Sequence, residues 1–246
     1  MTKLLTLFIG LIFITSSFGQ AELMGFRDYR DIADSFYMNF EGTDKFDIED
    51  VQGTPFFKKD FVYGYIIDTK GKNKSQTFLR YDVYNDIFEI QLDPNDESLK
   101  TLERSPRFEY MIDGEKFVLI QTDVLNEAHY TSGNGYAVEL TSPEADAVLY
   151  KRHFKELKPG SKGATSYQAD TPPSISSKSM FIIKFGDNYV QAEDHKKKIL
   201  DAFPSDKQDA MKKFIKSKNF KFRGSDKEIE NEMIQVVRYY NTLQTN

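Results

Sequence analysis

The sequence predicts an α+β fold: a mainly antiparallel β-sheet, built as a sandwich or a partly open barrel, followed by a C-terminal group of two or three helices. Three observations carry this. Apolar residues alternate with period two from Phe61 to Leu92 and again in shorter runs up to Ala192. No helical period separates those runs, which favours antiparallel pairing over crossover units. After Glu193 the apolar spacing becomes helical, and two Ser-x-x-Gln/Glu patterns announce helix starts.

Taken in order, Met24 to Phe40 places Ile32, Phe36 and Phe40 four apart and predicts one short helix. Glu41 to Asp60 is acidic and turn-rich, with Gly53-Thr54-Pro55 as punctuation before the sheet. Phe61, Tyr63, Tyr65 and Ile67 share one face of a strand that ends in the turn Thr69 to Asn73. Leu79, Tyr81 and Val83, then Phe88, Ile90 and Leu92, alternate with polar residues on either side of Asn85-Asp86 and predict two antiparallel strands. Asp113-Gly114 tolerates the positive φ angles of a tight hairpin, and Phe117 to Ile120 follows as a short buried run. Further strands are expected at Tyr136–Leu140, Ala147–Phe154, Met180–Phe185 and Tyr189–Ala192, the last two joined through Gly186-Asp187-Asn188.

Between these strands, Leu157 to Ser179 collects three prolines, two glycines and several serines and reads as a surface loop or linker. A short helix is expected before Pro204, using Ile199, Leu200 and Phe203. Ser205-Asp206-Lys207-Gln208 and Ser225-Asp226-Lys227-Glu228 are the two capping boxes. Met211, Phe214 and Ile215 form the stripe of one helix, and Ile229, Met233, Val236, Val237 and Tyr240 that of another. Aromatic residues are 14% of the chain, all Phe and Tyr, which suits sheet faces that need broad, stiff side chains.

Residues 1–19 read as a cleavable export signal. Lys3 supplies the charge, Leu4 to Ile14 the apolar segment, and Ser17-Phe18-Gly19 the small-x-small site, with cleavage before Gln20. Eleven apolar residues span only about 16 Å as a helix, too little for a bilayer core. The expected organisation is therefore a signal peptide over 1–19 and one β-rich domain over 20–246, with a helical subdomain from about 193. The remaining 227 residues suffice for a substantial core without staples. No other stretch is apolar enough to span a membrane, so no transmembrane segment is expected in the mature chain. A small outer-membrane barrel is disfavoured by the charges on both sides of several strand candidates and by a final Asn246 in place of an aromatic residue.

The chain has no cysteine, which removes disulfides, thiolate chemistry and cysteine metal sites, and leans towards a bacterial envelope. Residues 20–177 carry 18 basic and 28 acidic groups, and residues 178–246 carry 14 and 10. Such a molecule repels polyanions as a whole, so no nucleic acid is expected as a partner; only its C-terminal third has a basic character. Lys196, Lys197, Lys198, Lys207, Lys212, Lys213, Lys216, Lys218, Lys221 and Arg223 supply it, as a solvated helical face or a peripheral contact with an anionic surface.

Catalytic patterns are weak. His129, His153 and His195 are widely spaced and encode no local metal geometry, so no metal or other cofactor is expected. Gly160-Ser161-Lys162-Gly163 lacks the strand-turn-helix context of a serine nucleophile, and neither Gly133-Asn134-Gly135 nor Gly71-Lys72 has the spacing of a phosphate cradle. Asp93-Pro94-Asn95-Asp96-Glu97 gathers oxygen ligands without the glycine and distal glutamate of an EF-hand, and reads as a solvated turn. Asp82 with Asp86, or Asp86 with Glu89, are carboxylate pairs of the kind that serve glycoside hydrolysis, although acid-rich sheets produce such pairs often.

Two segments, Leu79-Arg80-Tyr81-Asp82-Val83-Tyr84-Asn85-Asp86-Ile87-Phe88-Glu89-Ile90 and Ile199 to Phe222 with Arg238-Tyr239-Tyr240-Asn241, resemble exported proteins of flavobacteria-type bacteria. That family has no established activity, so the resemblance implies an envelope setting and carries over no functional residue. The expected function is a non-enzymatic binding or assembly role in the periplasm or at the cell surface. Its ligand or protein partner in the envelope is unknown, and it would dock in an apolar cleft between sheet and helices or along a strand. A carboxylate-based or metal-assisted hydrolase is the alternative.

Overall fold

The computed structural model describes residues 26–28, 51–92, 100–102, 104–125, 133–163, 167, 169–196 and 198–244. Eleven strands form one antiparallel sheet: β1 (Phe26–Asp28), β2 (Val62–Asp68), β3 (Asn73–Asp82), β4 (Ile87–Gln91), β5 (Lys100–Leu102), β6 (Phe108–Ile112), β7 (Glu115–Gln121), β8 (Asn134–Glu139), β9 (Ala147–Lys158), β10 (Ser174–Phe185) and β11 (Asn188–Ala192). Their spatial order is β1-β5-β4-β3-β2-β6-β7-β8-β9-β10-β11, and the sheet does not close. Two helices follow, α1 (Ser205–Ser217) and α2 (Asp226–Thr242), so the α+β class holds.

Local chemistry explains the turns. Asp113 and Gly114 have φ of 53° and 81°, the two left-handed positions that a two-residue hairpin needs between β6 and β7. Asp68 Oδ1 accepts from the amides of Lys70 and Gly71 and folds the β2–β3 turn. Asp82 accepts from the Asn85 amide and side chain, which sets the β3–β4 turn.

The first part of the sheet is strongly curled. β4 and β8 stand five places apart in the order, which in a flat sheet would separate them by about 24 Å. Yet the rings of Phe88 and Tyr136 lie 5.0 Å apart, and those of Phe88 and Phe117 5.5 Å. The curl encloses an aromatic core of Tyr81, Phe88, Tyr110, Phe117 and Tyr136 with Leu79 and Ile90. The strands from β8 onward carry a second core, where Ala147, Leu149, Phe181 and Ile183 meet Met211, Ile215, Met233, Val236 and Val237 of the helices. The Asn241 side chain of α2 clamps this layer by donating to the Ala147 carbonyl and accepting from its amide, at 2.9 and 2.8 Å.

Several elements differ from the sequence expectation. Phe26–Asp28 is a strand paired with β5, inside the stretch expected to be helical; Ile32, Phe36 and Phe40 lie outside the described residues, as do residues 1–19. The expected loop from Leu157 to Ser179 is shorter at both ends, because β9 runs to Lys158 and β10 begins at Ser174, pairing from Ser174↔Lys158 to Phe185↔Ala147, which leaves residues 159–173 between the strands. The capping box at Ser225 forms, with Glu228 reaching back to the Ser225 amide. The one at Ser205 does not: Pro204 holds the cap position, Ser205 is already helical, and the Gln208 side chain donates to the Phe203 carbonyl. The short helix before Pro204 is a single turn, Ile199–Ala202.

Candidate interaction surfaces

Asp82, Asp86 and Glu89, the carboxylates that the sequence paired, each bind partners in the structure. Asp82 is buried and holds the β3–β4 turn, and burial pushes its carboxyl above the ordinary value against the hydrogen bonds from Asn85. Glu89 is buried against Arg80, with Arg80 Nε donating to Oε2 at 2.5 Å. Asp86, in a left-handed conformation with φ of 57°, is the centre of a buried network. It accepts from the Tyr81 hydroxyl at 2.5 Å and the Tyr136 amide at 3.2 Å, and pairs with Arg152 at 2.7 Å and with Arg104. Arg152 also donates to the Tyr81 hydroxyl and the Tyr136 carbonyl, and Arg104 to the Asn134 carbonyl.

This network joins β3–β4, the segment before β6, β8 and β9, so it closes the curl of the sheet with charge-assisted bonds in place of strand pairing. No local pattern announces it, since Arg104 and Arg152 lie 18 and 66 positions from Asp86; the arginine two residues past the apolar run Ala147–Tyr150 is the one signal. Gly135 leaves room for it, because a Cβ there would stand 3.0 Å from Arg152 Nε.

The other candidates scatter. His153 packs on the Phe57 ring at 5.1 Å, with Nε2 3.9 Å from Glu115. His195 is exposed and its carbonyl receives the amides of Lys198 and Ile199; His129 and the acidic turn 93–97 lie outside the described residues. Among the described residues no three His, Asp or Glu side chains are grouped to hold a metal. Gly71-Lys72 belongs to the β2–β3 turn, Gly133-Asn134-Gly135 opens β8, and Ser161 is bridged to Thr171 in the loop after β9.

The apolar cleft expected between sheet and helices is absent among the described residues, because the helical side chains fill that space. An open cleft of about 590 Å³ lies elsewhere, between the end of β7 and the β10–β11 turn, and is walled mainly by polar groups including Gln121, Asp123, Asp187 and Asn188, with Tyr189 beside them. No family model, curated protein or solved structure matches this chain.

What remains most open is main chain. β9 and β10 pair along twelve residues each, but β8 pairs with β9 only at Tyr150 and Lys151, and β11 pairs with β10 only from Phe181 to Phe185. Beyond those positions the two strands run on as a ribbon, residues 153–158 against 174–179. Its far end is held on the outer edge of β10 by Gln52, which bridges Ser174 in parallel, its amide donating to the Pro173 carbonyl and its carbonyl accepting from the Ile175 amide, and by Gly53, whose missing Cβ lets the chain pass against the Ile175 carbonyl. The Lys155 ammonium donates to Ser177 across the ribbon at 2.8 Å, and Lys178 pairs with Glu156 at 2.5 Å.

Proposed function

We propose that this protein is exported to the bacterial cell envelope and acts there without catalysis, by taking an extended segment of another envelope protein onto the free edge of β10. Export is supported by the predicted signal over residues 1–19, and the envelope setting by the resemblance to exported flavobacteria-type proteins. The observation that carries the docking reading is the ribbon itself.

An exposed strand edge presents unpaired amides and carbonyls, and proteins ordinarily blunt such edges with prolines, charges or bulges. From Ser176 to Met180 the outer edge of β10 has no strand partner among the described residues, and it carries no proline and one charge, Lys178. Five residues offer about 17 Å of edge, enough for one short strand. A docked strand would gain main-chain hydrogen bonds from the edge and side-chain selectivity from alternate residues. The ribbon from Phe154 to Ser179 has four basic and two acidic residues in an acidic chain, which suits a neutral or acidic partner segment.

The test is a proline series at Ser176, Ser177 and Ser179, read on the size of the native complex extracted from the envelope and on the melting temperature. One parity removes amides that face β9 and weakens the fold; the other removes outward amides and leaves it intact. The outward class is expected to release the protein from its assembly at unchanged melting temperature. An assembly of unchanged size in the outward class, or a protein that is a bare monomer in its own envelope, would contradict the reading. N-terminal sequencing of the same material is expected to begin at Gln20.

A further inference from the structure

The end of α1 and the turn after it hold a concentration of positive charge that forms no ion pair among the described residues. Residues 212–223 contain Lys212, Lys213, Lys216, Lys218, Lys221 and Arg223 and no acid, so these twelve residues carry +6 while the rest of the chain carries −11. All six are exposed. Other cations of the chain are paired, among them Lys58 with Asp113, Arg107 with Asp68, Lys116 with Glu109, Lys151 with Glu230 and Lys198 with Glu193. None of the six forms an ion pair within 4.0 Å among the described residues. Asp209 and Asp226 are the acids that flank the segment in sequence, and Glu232 on α2 is committed to the amides of Lys221 and Phe222 at 3.1 and 2.6 Å.

Favourable placement of lysines at a helix C-terminus accounts for Lys216 and Lys218. It does not account for Lys221 and Arg223, which lie beyond the helix. Those two are presented by a rigid turn. Phe220 and Phe222 are buried on either side of Lys221, Phe220 packs edge-on against Phe214 at 5.8 Å, and Asn219 and Phe222 adopt φ of 55° and 48°. A buried Phe with a positive φ is an uncommon conformation for the chain to hold, and here it alternates apolar anchors inward with cations outward.

We infer that this basic knuckle rests on a membrane surface rich in acidic phospholipid. Its six exposed cations are spread along residues 212–223, over the end of α1 and the turn after it, an arrangement that matches an extended array of headgroup charges better than one soluble anion. The large exposed apolar side chains among the described residues are Tyr63, Leu92 and Tyr167, on other elements, so the contact is electrostatic and does not insert. This inference does not rest on the docking of a strand at β10, and vesicle binding in vitro succeeds or fails independently of that reading.

The test compares the chain as purified from its producing cells with Lys213→Gln/Lys216→Gln/Arg223→Gln, on vesicles of phosphatidylcholine alone and with about one third phosphatidylglycerol. A triple on the strand β2 side of the chain, Lys59→Gln/Lys70→Gln/Lys72→Gln, at exposed lysines, gives the same change in net charge. The knuckle triple is expected to lower partition onto the anionic vesicles on the order of 100-fold at 0.1 M salt, with the control triple near wild type and both proteins melting as wild type. Wild-type partition should fall steeply by 0.5 M salt, where screening shortens the reach of each charge. Equal losses in the two triples, no preference for anionic vesicles, or retention on dextran sulfate without retention on vesicles would each overturn the inference.

Discussion

Replacing Asp86 by Asn isolates the network that closes the curl. The substitution keeps the shape and the left-handed backbone, since Asn adopts φ near 57° as readily as Asp. It also keeps an oxygen for the Tyr81 hydroxyl and the Tyr136 amide. What it removes is the carboxylate that, among the described residues, pairs both Arg104 and Arg152. The arginines differ in their escape routes: the Arg104 side chain is 26% exposed and can turn to water, while that of Arg152 is 2% exposed and cannot. Removing one partner of a buried pair typically costs about 3–5 kcal/mol, because the other charge stays buried. With Arg104 free to relax, a loss of about 3 kcal/mol is expected, or roughly 6–12 °C in melting temperature for a chain of this size. Adding Arg152→Met removes the stranded cation and should restore at least half of that loss, so urea unfolding of the two singles and the double gives a coupling energy above about 1.5 kcal/mol. A loss below about 1 kcal/mol for Asp86→Asn, or additivity in the double, would refute the network as the closing element.

Ser225→Ala should cost about 1 kcal/mol in urea unfolding because it breaks a formed capping box, whereas Ser205→Ala, inside the first turn of α1, should change stability by less than about 0.5 kcal/mol. Burial raises the phenols of Tyr81, Tyr110 and Tyr150 above their ordinary value and pushes Tyr136 up to about 12. The folded chain holds them neutral, so stability is full below pH about 10, where the unfolded chain starts to ionise, and falls as pH rises towards the folded-state values, by about 5 kcal/mol per unit for four groups. Phenolate absorbance should therefore show these four tyrosines ionising together with unfolding; four free titrations near pH 10 on an intact fold would contradict their burial. Asn241→Ala should lower stability by about 1–3 kcal/mol, since it strips the Ala147 amide and carbonyl of their partner, and hydrogen exchange at Ala147 should rise selectively.

The elements that the sequence made legible are those in which an apolar face alternates with a polar one, whether the polar face is exposed or, as at Asp82 and Glu89, buried with its partners. Leu79-Tyr81-Val83 and Phe88-Ile90 alternate because one face points into the aromatic core, and the Met233–Tyr240 stripe repeats because α2 buries a single side. The ribbon was not legible, because residues 174–179 have no core to face: Ser-Ile-Ser-Ser-Lys-Ser carries turn-like composition and takes its strand conformation from twelve positions of pairing with β9. The two capping boxes looked alike, and only Pro204, which holds the cap position in front of the first, separates them. The Asp86 network escaped notice for a topological reason, since its members come from four separate segments brought together by the curl. The basic character of residues 212–223 was visible in composition, but the outward alternation of Lys221 and Arg223 depends on two aromatic residues buried within a tight turn.

Residue-resolved hydrogen exchange over Ser176–Met180, in the purified protein and in its native envelope fraction, tests the docking edge most directly. A strand added to β10 protects every second amide of that stretch, the outward-facing ones, because alternate residues of a strand direct their hydrogen bonds to opposite neighbours. The account predicts that protection with period two appears in the envelope fraction alone. Identical exchange in both preparations would contradict it.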